Sequence, residues 1–231
     1  MRLVAVLSEK GGVGKTTTAM SLAAITAEAS RTLVVDVDPQ ASASWWSSNA
    51  GERLPFEFAT ETDPAVLRTL RDAAAEIYDV VIIDTPGSLE GRDILATVLR
   101  NADYIVIPTE PAPLAVEPLI RTVRSVIAPS GVPYRVLLNK VDGRAPGMRD
   151  DAFAMLDAQG IQRFRASTRH LAAHAYAPAQ GTVVTQYAKD RYSIEAASEY
   201  RAVALEMFAD WQVYVGRHTP LAVAARTEVA G

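Results

Sequence analysis

The apolar run Leu3-Val4-Ala5-Val6-Leu7 leads directly into Lys10-Gly11-Gly12-Val13-Gly14-Lys15-Thr16-Thr17, and a helical pattern resumes at once after it. Strand, glycine turn and helix in that order are a demanding combination. The turn must bring successive backbone N–H groups to one side, and glycine allows this without side chains obstructing the approach. Such a turn cradles phosphate. Gly11, Gly12, Val13 and Gly14 supply amides, Lys15 reaches the β- and γ-phosphates, the Thr16 hydroxyl ligates Mg²⁺, and Thr17 lies in the first turn, at the positive end of the helix. The usual pattern has a further glycine five residues before Gly14. Here that position is Glu9, and a second lysine, Lys10, stands just inside the loop.

With 231 residues and 49% apolar content, the chain can bury the core of one large α/β domain. There is no cysteine, which excludes disulfides, Fe–S ligation, thiol catalysis and cysteine zinc sites, and fits a reducing cytosol. The apolar start is too short for a signal sequence and reads as a buried first strand. No stretch approaches the roughly 20 apolar residues of a membrane helix. The net charge is −4, so polyanion binding would need a local basic patch.

Short β-branched runs alternate with helical patterns, which predicts one mostly parallel, twisted sheet with helices on both faces, and with the phosphate loop after the first strand the expectation is a single-domain P-loop NTPase fold. The expected strands are 3–7, 32–37, 54–58, 80–84, 104–107 and 134–138, with a weaker one at 162–165. The expected helices are about 15–29, 64–77, 89–101, 114–128, 148–159 and 194–214. Asp63-Pro64 reads as an N-cap followed by proline at the first helical position, and Gly131 and Gly160 as helix stops. The domain is expected to span 1–216, with 217–231 a mobile tail. In the last helix, Tyr200, Val203, Leu205, Met207, Phe208, Trp211 and Val215 read mostly as packing positions. Trp45 and Trp46 read as core or interface residues rather than a base-stacking pair.

Two further strands end in acids. The strand Val80–Asp84 delivers Asp84 beside the phosphate loop, where a carboxylate holds Mg²⁺ directly or through water, and Gly87 allows a backbone amide to approach the γ-phosphate. The stretch Val34-Val35-Asp36-Val37-Asp38-Pro39-Gln40 places two carboxylates on one face of a strand, where their repulsion favours a cation. Asp38 is the candidate for positioning the attacking water, and Asp36 for supporting Mg²⁺ or Lys15. Asn139-Lys140-Val141-Asp142 spells a pattern used to read guanine. Asn139 is therefore a base-contacting candidate, with the identity of the base left open.

Taken together, Lys10–Thr18, Asp36–Gln40 and Val80–Gly87 resemble the ParA family of partition ATPases, within the wider ParA/MinD group. Ile107-Pro108-Thr109-Glu110-Pro111-Ala112-Pro113-Leu114 is similar to the family's proline-containing segment after the fifth strand, and Ala175–Val184 to its late A-P-x-x-G-x-x-V segment. The likeness covers about residues 1–214 and matches the short form without an N-terminal helix-turn-helix. It implies an ATPase using ATP and Mg²⁺, which forms a homodimer when ATP-bound, with Lys10 and Lys15 in catalysis and Lys10 reaching the partner's phosphates. It further implies nonspecific DNA binding, stimulation by a ParB-like centromere-binding protein, segregation of plasmid or chromosomal DNA, and a cytoplasmic, nucleoid-associated location without membrane binding. Arg163, Arg165, Arg169, Lys189 and Arg191 are the DNA-contacting candidates, with His170 and Arg201 nearby.

Other readings remain. The same cycle can position a protein cargo such as a microcompartment. A MinD-like membrane-associated ATPase needs a terminal amphipathic basic helix, whereas Thr219–Gly231 carries one arginine and one glutamate. A small-acid ligase would not need Lys10, and a GTPase switch rests on Asn139–Asp142 alone.

Overall fold

The structure is a computed structural model and describes residues 1–87 and 92–218. Its centre is a seven-stranded sheet in the order β3-β2-β4-β1-β5-β6-β7. The strands are β1 (Arg2–Val6), β2 (Thr32–Asp36), β3 (Glu57–Thr60), β4 (Val80–Asp84), β5 (Tyr104–Thr109), β6 (Tyr134–Val141) and β7 (Arg163–Arg169), and all neighbours pair in parallel. The helices are α1 (Lys15–Thr26), α2 (Ser42–Ala50), α3 (Pro64–Ala74), α4 (Arg92–Asn101), α5 (Pro113–Thr122), α6 (Pro146–Ala158), α7 (Ala173–Ala179) and α8 (Arg191–His218).

Strand alternation divides the core in two. Val4, Val6, Val34 and Ile82 pack with residues of α1, α2, α7 and α8 on one face. Leu3, Ala5, Leu33, Val81 and Ile83 pack with residues of α3, α4, α5 and α6 on the other. Because both faces are covered, the central strands are mostly apolar up to the acids that end β2 and β4, and β4 is buried at every position. All strands run the same way, so their carboxyl ends meet along one edge, where ligands of open α/β sheets bind.

Several boundaries differ from expectation. The apolar run at 54–58 is not the third strand: Pro55 cannot donate to a ladder, Phe56 turns into the core, and pairing starts at Glu57. The edge strand β7 extends to Arg169, beyond its apolar signal, because β6 offers it a ladder. The fifth helix loses regular α geometry after Thr122, continuing as a π turn over Val123–Ile127 and a 3₁₀ turn that ends at Gly131 with φ 72°. Helices α2 and α7 carry no amphipathic signature and were not expected. The Asp63 cap is present, its side chain accepting from Ala65 N at 2.7 Å. Helix α8 starts three residues before the expected position and runs to His218. Within it Tyr200, Val203 and Met207 are buried, whereas Leu205 points outward. Trp46 is buried, its indole N–H donating to the Thr182 carbonyl, whereas Trp45 is exposed. The start of the expected 89–101 helix and the tail from residue 219 lie outside the described residues.

Candidate functional site

The phosphate-loop segment leaves the end of β1 and enters α1 through Gly14, whose φ is 90°. Gly12 is also left-handed, with φ 77°. Between them the Val13 side chain is fully buried and anchors the loop. Asn139, at the end of β6, supports it from below: its Nδ2 donates to the Val13 carbonyl at 2.8 Å. The Asn139 Oδ1 accepts from Lys140 N at 2.9 Å and from the Thr168 hydroxyl. In this structure the Asn139 amide is spent on the loop and on β7. The side chain is buried.

Lys15, Thr16 and Asp84 converge at the carboxyl edge. Parallel pairing of β1 with β4 sets Val6 opposite Asp84, which brings the carboxylate beside the helix that follows the loop. The Thr16 hydroxyl donates to Asp84 Oδ2 at 2.7 Å. Asp84 Oδ1 is buried with no hydrogen-bond partner among the described residues. Burial is the main cause of the Asp84 carboxyl being pushed up to about 7, with Asp36 and Asp38 adding to it and Thr16 and Lys15 opposing. A buried, orphaned carboxylate oxygen beside a hydroxyl fits a hard divalent cation held by oxygen ligands. Lys15 is buried as well, and its ammonium is driven down first by desolvation, then held up by Asp84 and Asp38. A Cβ added at Gly87 would stand 2.7 Å from Lys15 Nζ, so Gly87 keeps the lysine's space clear.

The Asp36–Asp38 pair behaves differently from expectation. Strand β2 ends at Asp36, so the two carboxylates do not share a strand face. Asp36 is fully buried and both its oxygens are engaged: Oδ2 accepts from Ser44 N at 2.9 Å and Ser44 Oγ at 2.7 Å, and Oδ1 from Asp38 N at 3.0 Å. It caps α2 from the strand end. Asp38 is half-buried and its Oδ1 accepts from Gln40 N at 2.9 Å. Between them and α2, Ala41 takes φ 54°, a left-handed geometry that costs a non-glycine residue about 1 kcal/mol or more.

Lys10 projects from the loop and pairs with Glu110 of its own chain at 3.2 Å. Glu9, in the place of the usual glycine, accepts from the Thr122 hydroxyl at 2.6 Å and ties the loop to α5. The pairings of Glu110, Thr122 and Thr168 carried no signal in the sequence, since no local pattern shows partners this far apart in the chain. Of the basic candidates, Arg163 forms a two-pronged pair with Asp157 and stacks on Phe153, and Arg169 is held by Glu195 and Glu199. Arg165, Lys189 and Arg191 are exposed and form no ion pair among the described residues.

A parallel sheet with a glycine cradle, a buried lysine and a threonine–aspartate pair at its carboxyl edge defines a P-loop nucleoside triphosphatase. The chain belongs to the CbiA family, the CobQ/CobB/MinD/ParA nucleotide-binding domain, whose model matches residues 4–214, and it is an ATPase of the ParA/MinD type. It is 44% identical over 211 residues to "Maintenance of carboxysome distribution protein A" of Gloeobacter kilaueensis, covering 91% of this chain and 96% of that one. It is 29% identical to "Chromosome-partitioning ATPase Soj" of Thermus thermophilus, covering 90% and 96%. In fold it is similar to the MinD cell division protein of Aquifex aeolicus, with a TM-score of 0.70 at 15% identity, over 90% of this chain and 98% of that one. Among the described residues no helix is long and apolar enough to cross a membrane.

Proposed function

We propose that this ATPase positions a protein cargo of the carboxysome or microcompartment kind, using nonspecific DNA as the surface along which cargo is distributed. The observation that carries this reading is the 44% identity, over nearly the whole of both chains, to a protein named for carboxysome distribution. It favours a protein cargo over the plasmid or chromosomal DNA expected at first.

Bound ATP with Mg²⁺ supplies the terminal phosphate bond to be cleaved and a cation that neutralises charge developing there. In this reading Gly11, Gly12, Val13, Gly14 and Thr17 orient the phosphates through backbone amides, and Lys15 contacts the outer ones. Thr16 and Asp84 hold the metal. Asp38 orients the attacking water, its segment fixed by Asp36 and Ser44. Asn139 holds the loop in shape. Lys10 completes a second subunit's site in a homodimer formed with ATP; a cation supplied in trans raises turnover by about 10³–10⁵-fold. A cargo-borne partner, in the place of a ParB-like protein, stimulates hydrolysis and releases the dimer from DNA. The exposed Arg165, Lys189 and Arg191 lead the DNA contacts.

The test is a deletion of the gene in its host, with labelled shell protein and plasmid loss followed together. Clumping of shell-protein foci with unchanged plasmid retention supports the proposal. Evenly spaced foci with rising plasmid loss would return the function to DNA partition.

A further inference from the structure

Glu110 lies between Thr109, the last residue of β5, and buried Pro111, so its backbone is fixed at the carboxyl edge of the sheet. Its carboxylate is shared by two lysines. Oε2 meets Lys10 Nζ at 3.2 Å, and Oε1 meets Lys140 Nζ at 3.6 Å. The Lys140 ammonium also donates to the Gly12 carbonyl, inside the phosphate loop. Lys140 has φ 57°, a left-handed geometry unusual for a residue with a side chain, and its backbone N–H donates to the Asn139 Oδ1 at 2.9 Å. One carboxylate thus bridges the lysine that projects from the loop and the lysine that grips the loop.

We propose that Glu110 is a positioning residue that parks Lys10 against its own subunit and thereby sets the threshold for pairing of two nucleotide-bound chains. This rests on the reading that Lys10 acts on the partner's phosphates. To do so, the ammonium has to leave Glu110, and the ion pair opposes that departure. In the free chain the carboxylate also screens Lys10 from Lys140. Removing its charge frees Lys10 and leaves two ammonium groups repelling across the gap, so both effects push Lys10 outward. The pair is half-exposed, with side-chain exposures of 49% for Lys10 and 31% for Glu110, which limits its strength. An exposed pair of this kind shifts an equilibrium by about two- to fivefold.

The experiment is sedimentation of the full chain with a non-hydrolysable ATP analogue and Mg²⁺, at one fixed ionic strength because screening weakens such a pair. Wild type is compared with Glu110→Gln, Lys10→Ala and the double variant. Glu110→Gln is expected to dimerise about two- to fivefold more tightly than wild type, and this gain is expected to vanish when Lys10 is also replaced. A merely structural role for Glu110 would leave no such dependence on Lys10. Glu110→Asp, which withdraws the carboxylate by one methylene, carries the same expectation should the glutamine variant not fold. If wild type dimerises through Lys10 but both Glu110 variants pair no more tightly, the parking role is overturned while the shared site stands. If wild type stays monomeric, the shared site itself is overturned, and the parking role with it.

Discussion

Asn139 sits directly beneath Gly14: a Cβ added to that glycine would collide with the Asn139 Nδ2, the atom that holds the Val13 carbonyl. Gly14 is therefore required twice, once by its φ of 90° and once by the asparagine below it. Gly12 has φ 77°, but a Cβ there would meet nothing among the described residues within 4 Å. Gly14→Ala is expected to abolish nucleotide binding and lower the melting temperature, whereas Gly12→Ala pays only the left-handed strain of about 1–2 kcal/mol. Calorimetric binding and thermal melts of both variants check this; equal effects would contradict the role given to Asn139.

The two loop lysines separate by burial. Lys15 is enclosed beside Asp84 and Gly87, whereas Lys10 projects outward. Lys15→Ala is expected to lose nucleotide affinity. Lys10→Ala is expected to bind nucleotide, dimerise more weakly than wild type and lose stimulated turnover by about 10³-fold or more. Titration with a fluorescent ATP analogue, alongside phosphate release, distinguishes the two; full turnover in Lys10→Ala would count against a shared site.

Asp210 links three elements. Its carboxylate accepts from Arg135 Nε at 2.6 Å and from the Tyr104 hydroxyl at 2.6 Å, fastening α8 to β6 and β5. Burial, then this carboxylate, drives the Tyr104 phenol far above its usual range. Asp210→Ala leaves the tyrosine hydroxyl without its acceptor and the guanidinium with only the Arg163 carbonyl and Glu206, and is expected to cost about 1–3 kcal/mol of stability. Urea unfolding measures it, and a loss below about 0.5 kcal/mol would show that water replaces the carboxylate.

His174 carries two buried ring nitrogens with no partner among the described residues and packs edge-on against Tyr200. Burial, with a smaller push from His170, lowers its pKa to about 4. The folded chain thus binds this proton less readily than the unfolded one, whose histidine titrates near 6.5. The contribution is complete above about pH 6.5 and is lost as pH falls toward 4, at up to about 1.4 kcal/mol per unit. His174→Phe is expected to flatten that part of the stability–pH curve. An unchanged slope would mean that the imidazole is protonated without penalty in the folded chain.

The basic residues divide by their partners. Replacing exposed Arg165, Lys189 or Arg191 by alanine is expected to reduce the salt slope of DNA binding by about one per lost phosphate contact. Arg163→Ala and Arg169→Ala are expected to lower stability instead, since both are tied to acids of their own chain. Filter binding over a salt series, with thermal melts, checks the division.

Local pattern carried much of this protein. The glycine turn between an apolar run and a helix needs no distant residue to be recognised, and neither does the buried strand that ends in Asp84. The acidic pair was misleading because strand spacing was extended through Val37, whereas the ladder stops at Asp36 and its carboxylate turns to cap α2. The Asn139 motif names the residue types, but the direction of the amide depends on how close the loop lies above it.

Sequence alone determined the alternation of strands and helices and the chemistry of the phosphate cradle, because hydrophobic period and glycine freedom act over a few neighbouring residues. Tertiary structure decided which polar groups meet. Glu110 reaches Lys10 from 100 positions away, and Thr122 reaches Glu9 from 113. These pairings arise from strand order in the sheet, which no short stretch of the chain encodes.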